Sequence, residues 1–103
     1  MKNEINNKYT PELGLVNETV LPKLYQVVIH NDDFTPMEFV MSVLEKFFYM
    51  NRRKAGEKML EAHTEGKAVC GIFSKDVAES KIAIVIELAK QHQHPLVCSM
   101  EVA

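Results

Sequence analysis

Beyond residue 22 the chain switches repeatedly between two kinds of apolar spacing. Leu24-Tyr25-Gln26-Val27-Val28-Ile29-His30 is rich in β-branched and aromatic side chains, which fit a pleated surface, and predicts a strand ending at Asn31-Asp32-Asp33. Phe39, Val40, Val43, Leu44, Phe47 and Phe48 then recur at three-and-four spacing. They share one broad face of a helix from Pro36 to about Phe48, with Glu38, Ser42, Glu45 and Lys46 toward solvent. Its start is well signalled: Thr35 can cap, Pro36 suits the first helical position, and Glu38 completes a Thr-x-x-Glu capping box. Asn51 offers the cap of a second helix running through Met59-Leu60-Glu61-Ala62-His63, and Gly66 ends it in a left-handed conformation.

Lys67 to Phe73 reads as a second strand, and Ser74 caps a third helix from about Lys75 to Gln91 with Asp76 in its first turn. Ala78, Ile82, Val85, Ile86 and Ala89 share a face that Ile84 and Leu88 widen, so much of this helix is expected to be buried. Pro95 bars further helix. Leu96 to Val102 alternates, with Leu96, Cys98, Met100 and Val102 on one side of a last strand. The order strand, helix, helix, strand, helix, strand predicts an α+β domain: a three-stranded antiparallel sheet covered on one face by three helices. Several strand orders satisfy that pattern. Residues 1–22 contain Pro11 and Pro22, are rich in Asn, Glu, Lys and Thr, and hold no period, so a flexible N-terminal arm is expected before a domain at 23–103.

With 103 residues and 47% hydrophobic content, the chain can bury one core but not two. A net charge of −2, with Arg52-Arg53-Lys54 as the one basic run, argues against a nucleic-acid partner. The first residues lack the apolar core of a secretory signal and no stretch reaches membrane-spanning length, so a soluble, cytoplasmic protein without a membrane partner is expected. Cys70 and Cys98 lie in apolar strand-like runs and read as buried, reduced thiols. Cys70 has no evident activating partner, and neighbouring acids alone make no catalytic constellation, so an enzyme is not expected. No glycine falls in a phosphate-binding loop, and His92, His94 and Cys98 match no common zinc spacing, so neither cofactor nor metal is expected.

Asn31, Asp32 and Asp33 exceed what helix capping needs, since one cap takes one acceptor. They form either a solvated turn or an acidic nest able to hold a cation beside an apolar wall.

The string Asn31-Asp32-Asp33-Phe34-Thr35-Pro36-Met37-Glu38-Phe39-Val40, following its strand, resembles the ClpS adaptor family. Met59-Leu60, His63, Gly66-Lys67-Ala68-Val69-Cys70-Gly71, Ala78-Glu79-Ser80-Lys81 and His94-Pro95-Leu96 extend the resemblance over about Leu21 to Ala103. It implies an adaptor that recognises proteins by a destabilising N-terminal Leu, Phe, Tyr or Trp and delivers them to the ClpA unfoldase of the ClpAP protease. A free α-amino group, with a reference pKa of ~7.7 to 8.0, is largely protonated near neutrality and needs acceptors and negative charge. By resemblance Asn31, Asp32 and His63 supply them, so protonating His63 weakens binding. Met37, Val40, Met59, Ala62 and Leu96 occupy the family's pocket-lining positions, with Asp33 and Thr35 beside the peptide. Met37 is implied as a gatekeeper against β-branched residues, whose branch widens the side chain at the pocket mouth.

Two positions depart from the family pattern: Phe34 replaces a frequent Tyr, and Ala62 replaces a frequent, larger Val. A roomier floor that accepts bulky aromatic side chains is the expected consequence. The resemblance also places the unfoldase N-domain against Asp76 and Lys81, gives the arm to the unfoldase pore, and implies a monomer. The element order is similar, too, to the C-terminal domain of the ribosomal stalk protein, an interaction domain without amine recognition. Fold alone does not separate the two, whereas the Asn-Asp-Asp run with His63 does.

Overall fold

The computed structural model describes residues 22–103, so the arm expected over 1–22 lies, Pro22 apart, outside the described residues. Six elements follow in the predicted order: β1 (Leu24–His30), α1 (Met37–Phe47), α2 (Arg52–Glu65), β2 (Lys67–Ser74), α3 (Lys75–Gln91) and β3 (Val97–Val102). The sheet is antiparallel throughout and ordered β2-β1-β3. As the central strand, β1 buries Val27, Val28 and Ile29 almost completely. Val27 and Ile29 join the main core with residues of all three helices, including Val43, Leu44, Ala55, Ala78 and Val85. The opposite face carries His30, whose Nε2 lies 2.7 Å from the Ser99 hydroxyl, and a Lys67–Glu101 ion pair at 3.1 Å.

The helix ends follow local chemistry, with one exception. Asn51 caps α2 by accepting the Lys54 N–H at 2.8 Å, and Ser74 caps α3 by accepting from Val77. At the start of α1 no side chain caps the helix. Pro36 takes the N-cap position in extended geometry, and its carbonyl accepts from Phe39 and Val40. The Thr35 cap and the capping box predicted for this end are therefore corrected: Glu38 falls one residue too early to reach back, and pairs instead with Arg52 at 2.6 Å. Thr35 is bound to Asp32.

Three further expectations change. The stripe on α1 includes Met41, which is buried; its Cε would lie 3.8 Å from a Cβ at Gly56, so the glycine in mid-α2 leaves it room. On α3 the small residues Ala78 and Ala89 with Val85 face the core, whereas Ile84, about 100° round the helix from Val85, is half exposed. Burial of α3 is thus narrower than its apolar content suggests. β3 begins one residue late, leaving Leu96 buried just before it, and Val102 is exposed at its far end. Cys70 and Cys98 are free and buried, and burial pushes their thiols up to about 12 and about 11. Neither is a thiolate near neutrality, as the core reading requires. Among the described residues no helix is long and apolar enough to cross a membrane.

Gly66 controls the passage from α2 into the sheet. At φ 93 it adopts the left-handed conformation, its N–H donating to Ala62 and its carbonyl accepting the Asn31 N–H at 2.9 Å. A Cβ there would touch nothing within 4 Å, so the constraint is conformational and not steric crowding. Gly66→Ala is expected to lower stability by about 1 kcal/mol, and Gly66→Asn by less because asparagine tolerates this region. Thermal melts of the three proteins check the order; equal melting temperatures would contradict it.

Candidate functional site

The end of β1, the turn into α1, the last turns of α2 and the lead into β3 converge on one cleft of about 200 Å³. All ten residues predicted to bind amine or peptide line it: Asn31, Asp32, Asp33 and Thr35 from the turn, Met37 and Val40 from α1, Met59, Ala62 and His63 from α2, and Leu96 before β3. Ile29 and His30 line it too, and were missed because they read only as the end of a strand. Their signal was position: a chain entering the site through Asn31 must bring its two preceding residues along. Asp76 and Lys81 lie on α3 and do not line the cleft.

Polarity is sharply divided across the cleft. Its floor is apolar: Ile29, Val40, Ala62 and Leu96 are all buried. Met59 is half-buried on the wall, while Met37 stands 63% exposed at the mouth. The rim is polar, with Asn31, Asp33 and His63 exposed. Such a cavity offers an apolar side chain an apolar seat, while the polar groups of the rim stay hydrated until they are engaged.

Asp32 organises the rim. Its Oδ1 accepts the backbone N–H of Phe34 at 2.8 Å and of Thr35 at 2.7 Å, and its Oδ2 accepts the Thr35 hydroxyl at 2.8 Å. This is an Asx-type turn: a side-chain oxygen replaces the backbone acceptor and locks the four residues before α1. Partial burial works to raise the Asp32 pKa, but the hydrogen bonds from Thr35 and Phe34, with the positive field of His94, outweigh it and hold the carboxyl below its usual range. Asp33, by contrast, has no hydrogen-bond or ion-pair partner among the described residues. The turn thus presents one carboxylate that is engaged and one that is open.

The other half of the rim belongs to α2. His63 sits in its last turn, where the unpaired carbonyls carry partial negative charge that favours a cation. The Asn31–Gly66 hydrogen bond brings that helix end against the acidic turn. Asn31, Asp33 and His63 therefore offer an amide oxygen, a carboxylate and an imidazole nitrogen along the edge of an apolar hole.

Residues 21–99 match the family described as ATP-dependent Clp protease adaptor protein ClpS. Similar proteins named ATP-dependent Clp protease adapter protein ClpS include one from Hydrogenovibrio crunogenus, 53% identical over 86% of this chain and 90% of the relative. Another, from Xanthomonas oryzae pv. oryzae, is 47% identical over 95% of this chain and 97% of the relative. Among solved structures, Agrobacterium tumefaciens ClpS2 bound to L-phenylalaninamide superposes with a TM-score of 0.78 at 38% identity, covering 81% of this chain and all of that one. The chain belongs to the ClpS family and serves the Clp protease as an adaptor, not as an enzyme.

Proposed function

We propose that this adaptor binds proteins through an exposed N-terminal Leu, Phe, Tyr or Trp and delivers them to the ClpA unfoldase of the ClpAP protease. The observation that carries the reading is the cleft itself, where a buried apolar floor meets a solvated acidic rim. An N-terminal residue is the one part of a protein that joins a cation to a side chain through a single carbon. L-phenylalaninamide, bound by the Agrobacterium relative, has that chemistry: a free α-amine, a benzyl side chain and an amide in place of the next residue.

In this reading the Asn31 oxygen, the Asp33 carboxylate and a His63 nitrogen accept the ammonium protons, and the α2 carboxyl end adds to the field. The sequence assigned the amine to Asp32 and grouped Asp33 with the peptide. This reading exchanges the two roles, because Asp33 keeps all its acceptor capacity while Asp32 gives two bonds at Oδ1 and one at Oδ2 to the turn. Thr35 donates its hydroxyl proton to Asp32, which leaves that oxygen's lone pairs for a peptide N–H. The side chain enters between the thioethers of Met37 and Met59, which adapt to a branched Leu or a flat ring, and rests on Ala62 and Leu96. Met37 at the mouth screens out branching at Cβ.

The first test is fluorescence anisotropy of a dye-labelled peptide beginning with Phe, beside its N-acetylated form and an Ile-initiated version. The Phe peptide alone is expected to bind tightly. If the three bind alike, the cleft does not read N-termini and the interaction-domain reading replaces this one.

The two aspartates are expected to fail differently. Asp33→Asn should weaken Phe-peptide binding by about tenfold with an unchanged melting temperature, because the amide keeps an acceptor oxygen but loses the charge that strengthens its bond to the ammonium. Asp32→Ala should lower stability as well as binding. Its contribution follows pH with a definite sign: a carboxyl whose folded pKa is depressed stabilises the fold above its unfolded pKa and loses that effect as pH falls through the folded value. The stability gap between the wild type and Asp32→Ala should hold at neutral pH and close below about pH 4. A gap that widens in acid would refute the turn's role.

Ala62 sets the floor. Ala62→Val should lower affinity for Phe peptides more than for Leu peptides by narrowing the seat, and an unchanged Leu-to-Phe ratio in paired titrations would remove Ala62 from specificity.

A further inference from the structure

Solvent reaches the methionines of this fold unequally. Met37 opens α1 directly after Pro36 and stands 63% exposed at the mouth of the cleft. Met41, one turn further along the same helix, is 7% exposed and packs in the core. Met59, on the cleft wall, is half-buried, as are Met50 and Met100. Met37 is thus the one exposed methionine among the described residues. The turn closed by Asp32 fixes where α1 begins, and so keeps this thioether at the mouth.

A thioether in water is open to two-electron oxidation by peroxides, whereas one packed among carbon atoms is shielded. The remaining sulfurs compete poorly. Cys70 and Cys98 are buried, and burial pushes their thiols up to about 12 and about 11, so neither supplies the thiolate that a peroxide attacks. The most accessible sulfur of the described fold therefore stands where an apolar side chain has to enter.

We propose that Met37 is an oxidation site through which a peroxide, such as hydrogen peroxide, closes the cleft to apolar N-terminal side chains. The sulfur lone pair attacks one peroxide oxygen, and the S–O bond forms as the O–O bond breaks. The departing hydroxide takes the remaining proton and leaves as water, so that sulfur loses two electrons and the peroxide gains them. The sulfoxide is polar where the thioether was apolar. A Leu or aromatic side chain seating beside it strips water from the sulfoxide oxygen, and Ile29, Val40, Ala62 and Leu96 offer no side-chain donor in return. The proposal rests on the N-terminal reading, in which the cargo side chain lies between Met37 and Met59. Cargo in that position covers the sulfur, so a loaded adaptor is oxidised more slowly than an empty one.

The test treats the full chain with hydrogen peroxide, follows each methionine by mass spectrometry of proteolytic peptides, and titrates a Phe-initiated peptide by anisotropy as oxidation proceeds. Met37 is expected to gain oxygen before Met41, Met50, Met59 or Met100. Affinity should fall about tenfold once Met37 is fully oxidised, with an unchanged melting temperature, and return on treatment with methionine sulfoxide reductase. Met37→Leu conserves volume and is compared only with itself, its affinity being the same before and after peroxide. Excess Phe peptide should slow the oxidation of Met37 several-fold, and its N-acetylated form should not. Earlier oxidation of another of these methionines, an equal loss of affinity in Met37→Leu, or equal protection by the two peptides would each overturn the proposal. If the untreated protein does not distinguish the two peptides, the N-terminal reading fails and the proposal with it. If it does, and full affinity survives complete oxidation of Met37, the reading stands and the proposal alone falls.

Discussion

The hydrogen bond from the Asn31 N–H to the Gly66 carbonyl fastens the end of β1 to the end of α2, and the rest of the structure is arranged around it. Immediately beyond it the ladder begins, with His30 opposite Lys67 and Ile29 opposite Ala68. The same contact brings the last turn of α2, with His63, to the turn that follows β1. A left-handed residue is required for the chain to leave a helix and enter a neighbouring strand with no intervening loop, and Gly66 meets that requirement at the lowest conformational cost. Fold and site therefore share one constraint.

The division of polarity across the cleft follows from the place of β1. A central strand in a small sheet is buried on both sides along its middle, so Ile29 can close the floor while Asn31, two residues on, already faces water. Across that short distance the chain passes from apolar packing to an acidic turn. Asp32 spends one oxygen on the backbone N–H groups of Phe34 and Thr35 ahead of α1 and the other on the Thr35 hydroxyl, and Asp33 is left open to solvent. Neighbouring residues of one type thus take up different chemistry because only one of them points into the turn.

Elements governed by local spacing were legible in the sequence. The strand from Leu24, the Asn51 and Ser74 caps, the Gly66 stop and the stripe on α1 each arise from residues within a few positions of one another. Choices between competing partners were not. Thr35 could cap a helix or bond Asp32, Glu38 could reach back or pair with Arg52, and nothing in the string says which acceptor prevails. The strand order was also hidden, because antiparallel pairing of three strands admits more than one arrangement. The residues of the cleft were recoverable only through likeness to a family, since methionines and a histidine at helical spacing look the same in a core as beside a ligand. Lys81 shows the limit most plainly: a lysine on an amphipathic helix reads as a surface charge, and the three rings beside its ammonium, those of Phe48, Tyr49 and Phe73, come from outside that helix.

A cleft built from three separated stretches of chain, 29–40, 59–63 and Leu96, exists only while those stretches are held together. No fragment of the fold can keep it, so whatever occupies it binds the native state and not the unfolded one. Occupancy at a hundred times the dissociation constant then adds about 2.7 kcal/mol to the free energy of unfolding, a large increment for a domain of this size. Cargo and carrier become thermodynamically linked. A molecule with its cleft filled resists being pulled apart more strongly than an empty one.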